Sequence, residues 1–397
     1  MASQGESGGA APSQRGRPRI VVEDSAGRRP FMRGIMIHSL MARGVTFEDA
    51  FRTANEVRRR IGRRQVVPRG EMAKAVREIL GDEPFQEDRR LPLPVSITVG
   101  SEGHEAPFSK GTLSQSLLAS ALDPNDAFDV AREIEGDLLA HGIRQVERRE
   151  LRRRAYETVA REVSAHAAER YLVWRRYQHG ERPVIILLGG TAGVGKTTLA
   201  LEVAHRLGIG RVLSTDSIRQ IMRLVLSPEL LPALHGSSYD AYRQLGPESL
   251  GEEPVIDGFR AQTATVSVGL RASMDRAVAE NASTVLDGVS IVPGLVDLRA
   301  YTESAHVVFL VIACLDEGAF ARRFESRAAE AKQRGKHRYL ENLDGILKIQ
   351  DHFLDVADRY DVPIVDNVSF ERSVMFIIRH VTETLRKRRD FSAAAML

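Results

Sequence analysis

The sequence predicts an α/β chain: a parallel five-stranded sheet covered by helices, preceded by two mainly helical repeats. Three observations carry that expectation. Short apolar runs alternate with helical patterns from residue 184 onward, the signature of a parallel sheet with both faces covered. A glycine-rich string, Gly190-Thr191-Ala192-Gly193-Val194-Gly195-Lys196-Thr197, joins the first apolar run to the first of those helices. Upstream, residues 30–57 and 107–134 match one another at a constant offset of 77.

The glycine-rich string fits G-x-x-x-x-G-K-[ST], and its flanks give the pattern its meaning. Val184–Leu188 reads as a buried strand and residues 195–207 as a helix, so the string is a strand-to-helix turn. In such a turn the glycines let successive N–H groups curl inward, and the helix N-terminus adds positive partial charge. Phosphate oxygens are the expected ligand. The cradle would comprise Gly190, Thr191, Ala192, Gly193, Val194, Gly195, Lys196, Thr197 and Thr198, with Lys196 on the β- and γ-phosphates and the Thr197 hydroxyl on Mg²⁺. ATP and Mg²⁺ are therefore the expected cofactors.

Four further strands are expected at 211–214, 284–286, 306–313 and 362–365, with helices at about 217–226, 258–281, 293–303, 317–330, 341–360 and 370–388. Ligands of open parallel sheets bind at the carboxyl ends of the strands, so residues just past those ends are the candidates for chemistry. Asp216 follows the second strand, where a carboxylate can take a proton from an acceptor hydroxyl; capping the next helix is the alternative role. Asp287 ends the third strand, placed to hold Mg²⁺ with Thr197. After the fourth strand come Arg322, Arg323 and Arg327, then Lys332, Arg334, Lys336, His337 and Arg338, the basic composition of a lid that offsets charge on a transferring phosphoryl group. Arg323 and Arg327 are the catalytic candidates among them. Between the second helix and third strand, a long insertion supplies donors for an anionic acceptor: Arg219 just before it, then His235, Tyr239 and Arg260, with Gln262 close by.

The repeat divides the rest of the chain. Pro30-Phe31 answers Pro107-Phe108, Asp49-Ala50-Phe51 answers Asp126-Ala127-Phe128, and after a two-residue slip Val67 and Glu71 answer Val146 and Glu150. So many identities in one register mark an internal duplication. Each copy reads as a short strand, a turn and three amphipathic helices; in the first, Ile35, Leu40 and Met41, then Ala50, Ala54, Val57 and Ile61, fall at helical spacing. The last helix of the second copy is expected to run on through Trp174. The domain boundaries expected are a disordered tail over 1–18, repeats over 19–90 and 91–178, and the catalytic domain over 179–397. With no catalytic carboxylates and a linker of their own, the repeats are expected to be regulatory and separable, leaving an active chain that starts near residue 178.

Composition narrows the setting. No apolar run of about 18 residues occurs, so no membrane-spanning helix is expected. The first residues, MASQGESGGAAPSQRGRP, lack the apolar stretch of a signal peptide. Cys314 is the sole cysteine, which suits a cytoplasmic protein. A formal charge of +3 on 397 residues argues against a nucleic-acid partner. A phosphorylated small molecule is the expected partner, and homo-oligomerisation is compatible with the sequence.

Residues 19–175 resemble the ATP-cone, a small regulatory domain that binds adenine nucleotides. The resemblance implies a second nucleotide site at basic residues of the first hairpin, and repeat one offers Arg28, Arg29 and Arg33. Repeat two offers only His104 and Lys110, with Glu102 and Glu105 among them. The strings STDSIRQIMR (214–223), LHGSSYDAY (234–242), DGFRAQ (257–262), LDGVSIVPG (286–294) and RRFESR (322–327) resemble the 2-phosphoglycerate kinase family, which joins an ATP-cone to a P-loop kinase. That resemblance implies ATP-dependent phosphorylation of 2-phosphoglycerate to 2,3-bisphosphoglycerate. The chain departs from the pattern in its duplicated cone and in Asp287, where a glutamate is expected. A kinase of an inositol phosphate or sugar phosphate, and a nucleotide-sensing regulator without small-molecule kinase activity, are the alternatives.

Overall fold

The computed structural model describes residues 20–24, 27–41, 45–62, 66–81, 97–101, 104–178, 180–316, 318, 320 and 342–388. Two compact units divide at Ser96–Ile97.

In the first unit, β1 (Val21–Asp24) and β2 (Gly27–Pro30) form a hairpin, and β3 (Val66–Pro68) runs parallel to β1 on its other side. Helices α1 (Arg33–Met41) and α2 (Phe47–Ile61) lie between the hairpin and β3, and α3 (Arg69–Leu80) follows β3. Thr46 caps α2 by accepting the Asp49 N–H. Leu40, Ala50, Val57 and Ile61 share the core with Val67 and Val76, as their spacing requires. Ile35 and Met41 do not: both are exposed, because the core face of α1 is covered by Leu40 and partly by Met36 and Ile37.

The second unit opens with the same arrangement: β4 (Thr98–Ser101), β5 (His104–Pro107), β6 (Gln145–Glu147), α4 (Lys110–Leu118), α5 (Pro124–Ala140) and α6 (Arg148–Glu162). The register repeats with the sequence. Val21 opposes Pro30 as Thr98 opposes Pro107, each pair 77 residues on. The two-residue slip is absorbed by one helix, since α5 has 17 residues where α2 has 15.

A separate helix, α7 (Ala165–Tyr177), follows instead of the expected continuation of α6. Val163 leaves the helical line at φ −117° and ψ −74°, and Ser164 starts the new helix by accepting the Ala167 N–H.

The remainder is a five-stranded, all-parallel sheet: β7 (Val184–Gly189), β8 (Val212–Ser214), β9 (Thr284–Gly288), β10 (His306–Ala313) and β11 (Ile364–Asp366), in the order β11-β10-β7-β9-β8. Its helices are α8 (Lys196–Leu207), α9 (Thr215–Val225), α10 (Pro254–Ala279), α11 (Leu343–Arg359) and α12 (Phe370–Arg386). Alternation along β7 builds two cores. Val184, Ile186 and Leu188 pack toward α8, α11 and α12, whereas Ile185 and Leu187 pack toward α10 through Leu270 and Met274. Two expectations shift. The helix expected at 293–303 shrinks to a short turn, Leu298–Tyr301: Gly294 takes φ +80°, and the Tyr360 ring fills the space a Cβ would need. The last strand begins at Ile364, after Pro363, which has no N–H for the ladder. The helix expected at 317–330 lies almost wholly outside the described residues.

The second repeat shares a core with the sheet. Ala119, Ala121, Val173, Trp174 and Tyr177 belong to the cluster that contains Val184 and Leu188. Trp174 Nε1 donates to the Leu207 carbonyl at 2.9 Å and the Tyr177 hydroxyl to the Leu385 carbonyl at 3.1 Å. Those carbonyls belong to the last turns of α8 and α12, where a helix leaves its carbonyls short of partners; the Leu385 oxygen also takes the Arg388 N–H at 3.1 Å. A cut near residue 178 would strip both donors and open this core. We expect a chain starting at residue 97 to keep a cooperative thermal transition, and one starting at 178 to lose it. Trp174→Ala in the full chain should cost about 3–5 kcal/mol by denaturant titration, the range for truncating a buried tryptophan.

Candidate active site

The sheet's carboxyl edge carries the glycine-rich loop. Gly190 adopts φ +140°, and a Cβ there would collide with the Ile312 carbonyl oxygen of β10, so only glycine fits. Gly195, at φ +90°, opens α8. Lys196 is the first residue of that helix and is buried; its ammonium folds back onto the Thr191 carbonyl at 2.6 Å. Two hydrogen bonds tie the loop to neighbouring elements. The Thr191 hydroxyl donates to the Ile346 carbonyl of α11 at 3.0 Å, and Asn367 Nδ2 donates to the Val194 carbonyl at 2.8 Å.

Asp287 stands beside the loop because β9 lies between β7 and β8, opposing Leu188 on one side and Ser214 on the other. It is 1% exposed. The Thr197 hydroxyl donates to its Oδ2 at 2.7 Å, while its Oδ1 is buried without a hydrogen-bond partner. Burial pushes the Asp287 carboxyl above its ordinary value; the Thr197 bond and the Lys196 charge pull it back, and Asp216 adds to the rise.

Asp216 lies one strand over, in the first turn of α9. Ser214 caps that helix by accepting the Asp216 N–H at 3.2 Å, so the Asp216 carboxylate is not the cap. Its side chain is 70% exposed, with Arg219 Nε 3.9 Å from Oδ1. Arg219 also donates from Nη1 to the Gly236 carbonyl at 2.8 Å. Burial pulls the Arg219 guanidinium below its ordinary value; Asp216, Asp240 and Tyr239 push it back up, while Arg223 lowers it further.

No protein-family model matches this sequence. Individual relatives do. A 2-phosphoglycerate kinase from Methanopyrus kandleri is 37% identical over 292 residues, covering 73% of this chain and 88% of its own length. The chain belongs to the 2-phosphoglycerate kinase family. The relative from Pyrococcus furiosus is 36% identical over 70% of this chain and 90% of its own. The one from Methanocaldococcus jannaschii is 36% identical over 75% and 94%. Among solved structures, a shikimate kinase from Bacteroides thetaiotaomicron aligns with 51% of this chain and 98% of its own at 19% identity and a TM-score of 0.29. A gluconokinase from Sinorhizobium meliloti aligns with 51% and 97% at 14% identity and a TM-score of 0.30. As a member of the 2-phosphoglycerate kinase family, the chain is an ATP-dependent phosphotransferase.

Lys196, Thr197, Asp287 and Asp216, all legible in the sequence, converge at this edge, and Arg219 joins them. The other acceptor candidates of this family member are engaged differently. His235 donates from Nε2 to the Leu226 carbonyl at 2.9 Å, which ties its imidazole to the end of α9. Tyr239 is buried in the main core. Arg260 is exposed on α10, near enough to His352 to help burial hold that imidazole below its ordinary value. Arg322, Arg323, Arg327, Lys332, Arg334, Lys336, His337 and Arg338 lie outside the described residues. Sequence reasoning missed the braces Thr191–Ile346 and Asn367–Val194. Asn367 offered one signal, a polar residue directly after a strand at the ligand-binding edge.

The half-partnered carboxylate of Asp287 costs stability where no ligand offsets it. Asp287→Asn should raise the stability of the ligand-free protein by about 1 kcal/mol, the low end for a buried unsatisfied group. Thermal melts of both proteins in chelator check this; a lower midpoint for the variant would contradict it.

Proposed function

We propose that this chain transfers the γ-phosphoryl group of ATP to the free hydroxyl of 2-phosphoglycerate, giving 2,3-bisphosphoglycerate and ADP with Mg²⁺ as cofactor. The observation that carries the reading is the meeting of Thr197 and Asp287 beside the glycine-rich loop, with Asp216 and Arg219 on α9, the helix that follows the neighbouring strand. The names of the relatives support the acceptor.

Each residue has one task in this scheme. Loop N–H groups from Thr191 to Lys196 hold the phosphates, and Lys196 exchanges the Thr191 carbonyl for β- and γ-phosphate oxygens. Thr197 Oγ1 and the unpartnered Oδ1 of Asp287 are hard oxygen donors, a set that fits Mg²⁺ completed by phosphates and water. Bound there, Mg²⁺ would supply neutralisation of phosphate charge. Asp216 orients the acceptor hydroxyl and takes its proton; its exposure leaves it accessible to a small molecule. Arg219, beside it, faces the acceptor's own phosphate or carboxylate. His235, Tyr239 and Arg260 support the acceptor pocket more remotely, and Arg323 and Arg327 offset charge on the transferring group. A cytoplasmic setting suits this chemistry, and among the described residues no helix is long and apolar enough to cross a membrane.

Asp216→Asn keeps size and polarity but cannot accept a proton. Its kcat should fall by at least about a hundredfold while the KM for ATP stays near that of the parent. Lys196→Ala should lose about as much through the phosphates. ADP release measured against 2-phosphoglycerate, an inositol phosphate and a sugar phosphate decides the acceptor. Turnover intact in Asp216→Asn would mean that the base lies elsewhere.

Repeat one is the proposed second nucleotide site. Its hairpin carries an exposed Arg28, paired to Glu23 at 2.9 Å, where repeat two has Glu105 bonded to Gln145. In equilibrium dialysis, the Lys196→Ala chain should retain one adenine nucleotide that Arg28→Glu releases; retention unchanged in the double variant would refute this site.

A further inference from the structure

Gln262 lies in the third turn of α10 and is 2% exposed, on the face that also buries Phe259 and Val266. Its amide is spent on a distant turn: Nε2 donates to the Ala233 carbonyl at 2.7 Å and to the Gly236 carbonyl at 3.1 Å. The Gly236 oxygen takes a second donor, Arg219 Nη1 at 2.8 Å, and Arg219 Nε stands 3.9 Å from Asp216. One carbonyl oxygen thus joins α10 to the side chain beside the proposed base.

The turn that carries this carbonyl is held at its other end as well. Asp240 accepts the Ser237 N–H, closing the turn on itself. The Tyr239 carbonyl rests on α11 at Gly345, where a Cβ would stand 3.3 Å from it. The next carbonyl of α11, that of Ile346, accepts the Thr191 hydroxyl of the phosphate-binding loop. Packing alone gives no reason for an amide at 262, since a leucine fills similar space and buries no polar atom. What the amide supplies is a fixed direction for the Gly236 carbonyl.

We propose that Gln262 is a positioning residue for the acceptor: it fixes the 233–240 turn, and through the shared Gly236 carbonyl it holds the Arg219 guanidinium beside Asp216. The inference rests on the reading of Asp216 and Arg219 as the acceptor-side pair. Without Gln262 the turn keeps its packing but the shared oxygen loses its anchor, so Arg219 wanders. Nucleotide contacts, which depend on the loop after β7, stay intact.

The test uses the full chain with Gln262→Leu and Gln262→Glu. KM for 2-phosphoglycerate, KM for ATP, the thermal midpoint and amide hydrogen exchange over 233–240 are read for each. In Gln262→Leu the acceptor KM should rise roughly tenfold, the worth of about one to two lost hydrogen bonds, with the ATP KM within about twofold of the parent. Exchange should quicken over 233–240 and stay unchanged in α8. Gln262→Glu, whose ionised form cannot donate, should recover part of the acceptor affinity as pH is lowered and the carboxyl regains a proton. Equal losses for ATP and acceptor that track the thermal midpoint would overturn the proposal, as would an unchanged acceptor KM. Should the parent enzyme fail to turn over 2-phosphoglycerate, the acceptor assignment falls by itself. Exchange and nucleotide affinity still judge Gln262: loosening confined to 233–240 supports its role, and no loosening refutes it.

Discussion

The Asp287 carboxylate is buried at the end of a central strand with only one of its oxygens bonded. Placing a charge there is unfavourable, and the surrounding architecture is arranged around tolerating it. The loop after β7 curls so that α8 begins with Lys196 and Thr197 facing the carboxylate, which supplies a cation and a hydroxyl donor from one helix start. The adjacency of β7 and β9 makes this possible, because it sets Leu188 and Asp287 in register at the same edge. The same juxtaposition sets the glycine-rich loop and the unpartnered Oδ1 of Asp287 within one short stretch of the sheet edge.

The braces around that site are backbone acceptors met by single side chains. Thr191 reaches α11, Asn367 reaches the glycine-rich loop, and Arg219 with Gln262 reaches the turn over α9. A carbonyl in a turn has lone pairs to spare, and a buried donor that meets one is both satisfied and fixed in direction. Geometry at the edge of the sheet is therefore fixed in part by polar side chains that bond to backbone carbonyls of other elements. The apolar cores beneath, divided by the alternation along β7, provide the rigid platform on which those bonds keep their geometry.

The two N-terminal repeats have the same strand order and register, yet they stand in different relations to the rest of the chain. The first forms its own small core. The second is fused to the sheet by α7, whose Trp174 and Tyr177 donate to carbonyls in the last turns of α8 and α12. Helix α8 is the helix that starts at the glycine-rich loop, so the second repeat is anchored at the far end of the element that presents Lys196 and Thr197. That arrangement makes the second repeat part of the same folded unit as the sheet.

Much of this was determined by local sequence. The glycine-rich string and the strand–helix alternation depend on spacing within a few residues, which short-range sterics and periodicity set directly, and the duplication is read from identities at one fixed offset. The two-residue slip between repeats was visible too, although only the structure assigns it to a longer α5. Residues at strand ends, Asp216 and Asp287, were legible because parallel sheets place ligands at one edge. Tertiary structure decided the rest, since it turns on which distant groups meet. His235, Gln262 and Tyr239 read as ligand donors from composition, but their partners are a helix-end carbonyl, a turn and the core. The break before α7 and the lost helix near Gly294 follow from Ser164 capping and the Tyr360 ring, one a choice between two local options and the other a contact across the fold. A hydrogen-bonding side chain does not carry its partner's address in its neighbours, and only the packed chain supplies it.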